Sequence, residues 1–183
     1  MIKLNAKELR NYKVDPLSLK FQRARKNPIY IVLDNVLDTY NIGSIFRLAD
    51  AVAAQQILLC GETQTPPHTR IKKASINTTE WVKWRYEDKA LTALKKLKLE
   101  EPGIKIVAVE QDRRAIPYTQ MKWEFPLAVV VGNETYGVSK EVLDICDAIV
   151  ELPMFGVNIS LNVMVSLGIV LYKIIENLVI DES

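Results

Sequence analysis

Apolar residues along this chain follow two alternating rhythms. Short, largely β-branched runs at 29–33, 57–60, 104–109, 127–131 and 148–152 read as strands, because a few consecutive apolar residues suit an element buried on both faces. Between them, 42–53, 88–97, 139–145 and 161–178 place apolar residues at helical spacing. Strand and helix taking turns predicts an α/β fold, an open and mainly parallel sheet with helices on both faces. Segment 61–79, with Pro66-Pro67 and several Thr and Ser, reads as one long loop. Ligands in such sheets sit beyond the carboxyl ends of the strands. That rule nominates four loops, at 34–41, 109–114, 132–137 and 153–160.

Composition narrows the class. With 183 residues, 49% hydrophobic and 25% charged, the chain is expected to build one ordinary globular core. Two cysteines in apolar surroundings, Cys60 and Cys146, do not suggest a disulfide scaffold and fit a reducing cytoplasm. The N-terminus lacks a signal-peptide apolar region, and the apolar stretch 163–172 is too short to span a bilayer; no membrane association is expected. The formal charge of +2 hides a segregation. Residues 1–26 carry eight Lys or Arg, Arg10, Arg23, Arg25 and Lys26 among them, against Glu8 and Asp15. Residues 70–98 carry nine, including Arg70, Lys72 and Lys73, against three acids. Two basic segments suit a polyanion laid across one face. A basic extension, 1–27, is therefore expected before a domain of 28–183. Trp81, Trp84 and Tyr86 suit either stacking on unpaired bases or the core.

Several chemistries are excluded. A single histidine, His68, removes histidine triads and multi-histidine metal sites, and reads as a loop residue. No paired Cys-x-x-Cys exists for zinc, so no metal is expected, and no Gly-x-Gly-x-x-Gly for a dinucleotide. Three polar clusters remain. In the first, residues 38–50, Asn41 or Ser44 can cap a helix whose apolar stripe is Ile42, Ile45, Phe46 and Ala49; Arg47 lies off that stripe and is either an exposed arginine or a functional one. In the second, Gly132-Asn-Glu-Thr-Tyr-Gly137 is nearly a phosphate loop, yet Val138 stands where the lysine belongs and Glu134 adds an anion. Gly132 permits close backbone approach, Gly137 a positive φ, and Ser139 a helix cap; the stretch is a plain turn or a site. In the third, Ser160 and Asn162 stand at the entrance of an apolar helix, as caps or as part of a site.

In order and spacing, these clusters resemble the three motifs of the SpoU, or TrmH-like, family of SPOUT RNA methyltransferases. The first resembles Asn-x-Gly-x-x-x-Arg as Asn41, Gly43 and Arg47; the second Gly-Asn-Glu-x-x-Gly as 132–137; the third Pro-Met-x-Gly-x-x-x-Ser-Leu-Asn-Val as 153–163. Segment 73–81 also looks like the family's region before the third strand, so the likeness spans about 28–177. It implies transfer of the methyl of S-adenosylmethionine to a ribose 2′-hydroxyl of tRNA or rRNA, with tRNA slightly favoured. It also implies a deep C-terminal trefoil knot and a homodimer with the active site at the interface. Cofactor contacts would fall to Ala108, Val109 and Glu110, to Gly132, and to Leu152, Met154 and Leu161. Arg47 would activate the hydroxyl from across the interface, by holding the adjacent phosphate and stabilising the developing alkoxide, with Asn41 orienting it. Glu134, Ser160 and Asn162 would complete the pocket. RNA capture would rest on the two basic segments. The chain departs from the family where Met164, Ser166 and Leu167 replace small residues. A silent RNA-binding dimer of the same fold is the alternative.

Overall fold

A computed structural model of the protein describes residues 6–11 and 26–181. Seven strands form one sheet: β1 Asn27–Asp34, β2 Ala54–Cys60, β3 Trp84–Glu87, β4 Lys105–Val109, β5 Ile116–Pro117, β6 Leu127–Gly132 and β7 Ala148–Glu151. Their order is β3-β2-β1-β6-β4-β7-β5, and every neighbouring pair is parallel. Parallel strands bury both faces, which explains why β6 has no exposed residue. The helices are α1 Ala6–Asn11, α2 Thr39–Ala51, α3 Thr69–Ser75, α4 Ala90–Glu100, α5 Lys140–Leu143 and α6 Val163–Asp181.

Period-two alternation splits the apolar residues into two cores. Ile29, Ile31 and Leu33, with Val129 and Val131, point to one face, where Ile42, Ile45 and Phe46 of α2, Ile71 of α3 and Leu167, Val170 and Ile174 of α6 cover them. Tyr30 and Val32, with Ala108, Ala128 and Val130, point to the other, under Ala93, Leu94 and Leu97 of α4 and Val142 of α5. Each fully buried Ile, Leu or Phe contributes about 1.5–3 kcal/mol, so the interior of α2 is fixed by its stripe. The expected open parallel sheet with helices on both faces is what forms.

Differences lie in small elements. Segment 61–79 is not one loop: His68 caps α3, its Nδ1 accepting the Arg70 amide at 3.2 Å, so this histidine has a structural task. Strand β3 was absent from the periodicity because Trp-Arg-Tyr-Glu mixes charge with aromatics, as an edge strand does. Trp81 and Trp84 pack against the first core, and the Trp84 ring meets Phe46 edge-on at 6.5 Å. They are core residues, and only Tyr86 stays 45% exposed.

Candidate active site

All strands point one way, so their carboxyl ends share one rim. There a cleft of about 390 Å³ opens between the segments that follow β4, β6 and β7 and the start of α6. Its lining includes Val109, Glu110, Gly132, Glu134, Leu152, Met154, Ser160, Leu161 and Asn162. Of the expected cofactor positions only Ala108 is not there. It is fully buried in the second core, because alternation along β4 turns its side chain to the opposite face.

The loop 132–138 owes its shape to identifiable bonds. Asn133 and Gly137 exchange backbone hydrogen bonds at 3.0 and 2.9 Å, while the Asn133 Oδ1 accepts the amides of Thr135 and Tyr136. Gly137 adopts φ 70, and a Cβ there would strike the Glu110 carboxylate. A Cβ on Gly132 would strike the backbone of Gly137 and Val138. The loop is drawn onto the neighbouring strands by two acids. Glu110 accepts the Val138 amide at 2.8 Å, and Asp34, buried at the end of β1, accepts the Ser139 amide at 2.8 Å. Ser139 occupies the cap position of α5 without a side-chain bond.

Glu134 ties this loop to the start of α2. Its carboxylate accepts the amides of Leu37 and Asp38 and the Asn41 Nδ2, each at 3.0 Å. Partial burial pushes this carboxyl up, but the bonds from Leu37, Asn41 and Asp38 outweigh it and hold the group below the usual carboxylate range. Asn41 Oδ1 in turn accepts from Asn162 Nδ2 at 3.0 Å. Asn162 Oδ1 accepts the Met164 and Val165 amides at 2.9 and 3.3 Å, capping α6. Neither Asn41 nor Ser44 caps α2; Asp38 does, accepting from Tyr40 and Asn41. That frees the Asn41 side chain to join the three motifs.

The result is a hydrogen-bonded relay in which both amide orientations are forced. A carboxylate only accepts and backbone amides only donate, so Asn41 must offer nitrogen to Glu134 and Asn162 must offer oxygen to α6. Ser160 lines the cleft and donates to Asn158 Oδ1 at 3.4 Å. Arg47 does not line it; it is exposed on α2 and makes no hydrogen bond or ion pair among the described residues. One chain thus assembles Asn41, Glu134, Ser160 and Asn162, and leaves Arg47 outside.

Sequence reasoning missed Gln111, whose side chain donates to the Ile159 carbonyl and bridges two rim loops, and Asp34 with its partner Asn35. Both lie in the loops nominated by the strand ends, where a polar residue closing an apolar run is the available sign. Of the expected RNA contacts, Arg70, Lys72 and Lys73 are exposed on α3 and Lys26 is partly exposed; Arg23, Arg25 and the side chain of Arg10 lie outside the described residues. The second basic segment is not uniform, since Arg85, Lys96 and Lys98 pair with Glu100, Glu87 and Asp147. Among the described residues no cluster of His, Cys, Asp and Glu could hold a metal, and no helix is long and apolar enough to cross a membrane. Burial pushes both thiols, Cys60 and Cys146, up to about 12, with neighbouring carboxylates adding to it.

The architecture has known counterparts. YacO, a TrmH-family protein of Bacillus subtilis, is 31% identical over 161 residues, covering 88% of this chain and 64% of that protein. A tRNA (guanosine(18)-2′-O)-methyltransferase of Aquifex aeolicus is 33% identical over 153 residues, covering 81% of this chain and 69% of its own length. An AdoMet-bound rRNA methyltransferase from Sinorhizobium meliloti superposes with a TM-score of 0.75 at 25% identity, over 93% of this chain and 60% of that one. The chain thus spans about two thirds of the length of these relatives. Residues 28–172, which include every loop of the cleft, match the family model of the SpoU rRNA methylases, and the chain belongs to that family.

Proposed function

We propose that this chain transfers the methyl group of S-adenosylmethionine to a ribose 2′-hydroxyl of RNA. The observation that carries the reading is the relay Glu134–Asn41–Asn162, which locks three separate motifs around one cleft at the strand ends. The donor set fits the cofactor. Glu110, Glu134 and Glu151 line the cleft and, among the described residues, no Lys or Arg does, so a cationic sulfonium is favoured there while a triphosphate is repelled. When bound, the cofactor supplies a methyl group on a positively charged sulfur. Val109, Gly132, Leu152, Met154 and Leu161 would hold it, chiefly through backbone groups and apolar contact.

Glu134, Asn41 and Asn162 act as positioning residues, because their polar atoms are engaged with one another and with the backbone. Ser160 is open to the cleft and is placed to contact substrate. Arg47, unpaired among the described residues, completes the site of a second copy, where its guanidinium holds the phosphate beside the target ribose and stabilises the oxygen as it loses its proton. A homodimer is supported by large apolar side chains left to solvent: Phe155 is 96% exposed and Ile159 74% in the loop before α6, and Tyr172 of α6 58%. The reading includes a trefoil knot at the C-terminal end, a basic extension (1–27) ahead of the domain (28–183), and a cytoplasmic location.

The substrate is RNA, with tRNA favoured over rRNA; the A. aeolicus relative is named for a tRNA and the S. meliloti one for an rRNA. Arg70, Lys72, Lys73 and the basic arm with Arg10, Arg23, Arg25 and Lys26 supply phosphate contacts. The test is to incubate the chain with labelled S-adenosylmethionine and total RNA from cells lacking its gene, then to map the label. Label at a ribose 2′-oxygen is expected. Label on a base, or cofactor binding without transfer to any RNA, contradicts the reading.

A further inference from the structure

The corner where α3 ends is strained and has no part in the cleft. Ile76 and Asn77 both take left-handed backbone conformations, φ 50 and 67. A β-branched residue rarely does so, and each such position costs on the order of 1–3 kcal/mol. Asn77 is nonetheless only 8% exposed, and its Nδ2 donates to the backbone carbonyl of Leu9 at 3.0 Å. Leu9 lies in the last turn of α1, where helix carbonyls have no partner within the helix. A helix of six residues does not persist in water by itself, so the place of α1 is set by what it docks on.

Charge gives this docking a purpose. Lys7 on α1 is exposed. On the near side of the same corner α3 exposes Arg70, Lys72 and Lys73, and these three α3 side chains form no ion pair among the described residues. Helix α3 lies against α2 at Gly43, whose missing side chain admits Ala74 and the Ile71 carbonyl. Beyond the corner, Trp81 Nε1 donates to Asp50 of α2 at 2.7 Å. Arg47 lies between these two contacts along α2.

We propose that Asn77 is a positioning residue that latches α1 onto the α3 corner, so that these two helices form one continuous surface for an RNA phosphate backbone leading to Arg47. The inference rests on the RNA methyltransferase reading and adds to it the docking point of α1. A docked helix presents its charges in fixed register with those of α3, whereas a free arm spreads the same charge over many conformations.

The variant Asn77→Gly tests it, because glycine accepts φ 67 without strain while removing the side chain that holds Leu9. Binding of unfractionated tRNA should weaken by about five- to tenfold, with the slope of log K against log salt shallower by about one to two. Amide exchange at 6–11 should rise, and S-adenosylmethionine affinity should stay at the wild-type value. Removing residues 1–11 should cost the variant no further tRNA affinity, since a latch and what it holds are not additive. Wild-type tRNA affinity and salt slope in Asn77→Gly, or undiminished protection of 6–11, overturns the latch alone. If the wild-type chain binds no RNA, the latch falls together with the RNA reading.

Discussion

Asn41 and Asn162 are amides where carboxylates of the same shape would fail. Each must donate at one end and accept at the other, and a carboxylate in either place cannot donate. Asn41→Asp would face Glu134 with a second negative charge and lose the 3.0 Å bond. We expect a loss of about 1–2 kcal/mol in thermal or denaturant unfolding, the lower end for a charged hydrogen bond because Glu134 is open to water, and a cofactor affinity at least tenfold weaker by calorimetry. Glu134 also sets a pH dependence. Its folded pKa is depressed, so the stability it supplies is complete above the ordinary carboxylate range and is lost as pH falls through the lower folded value. Unfolding measured from pH 7 down to about 3 should show this loss in the wild type and not in Glu134→Gln. The residue types of this relay were legible in the sequence as three polar clusters. What was not legible was who caps whom: Asp38 capping α2 and Asn162 capping α6 follow from chain geometry that spacing alone leaves open.

At the scale of elements, segments that carry an apolar run or a helical period were readable, the four-residue β7 and α5 among them, whereas α3, β3 and β5 were not. Each of β1, β2, β4 and β6 has at least three consecutive residues buried from solvent, so burial leaves a continuous apolar run. By contrast α3 has seven residues, only two of them buried, and β5 has two residues in all; neither is long enough to show a period. The pairing of α2 with α3 depends on Gly43, where a Cβ would come within 2.6 Å of the Ala74 Cβ and 2.7 Å of the Ile71 carbonyl. Gly43→Ala should therefore cost about 1–3 kcal/mol by overpacking, read as a lower denaturant midpoint at unchanged slope. The cleft is more sensitive still. Gly132→Ala places a methyl group into the backbone of Gly137 and Val138, which cannot yield as a side-chain tip would, and cofactor binding should be undetectable by calorimetry.

For the whole molecule the decisive feature is a division of labour. The parallel sheet gathers the strand ends into one cleft, and its own hydrogen bonds bring Asn41, Glu134 and Asn162 together there. The same geometry leaves Arg47 on the exposed side of α2, the helix whose first turn also leaves Tyr40 49% exposed. A partner copy seated on this surface would bury that area and deliver an arginine. Substituting Tyr172→Glu and Ile169→Glu on the exposed side of α6 should shift the mass in light scattering from dimer to monomer and abolish transfer. A site shared between subunits is tested most directly by complementation. Arg47→Ala and Glu134→Gln chains, each expected to be inactive when expressed alone, are co-expressed and the mixed assembly is purified. If Arg47 of one subunit serves the cleft of the other, one of the two sites in the mixed dimer is intact, and methyl transfer should return to about half the wild-type rate per dimer. A mixed dimer as silent as its parents would place both residues in the same site of a single chain and contradict the shared assembly.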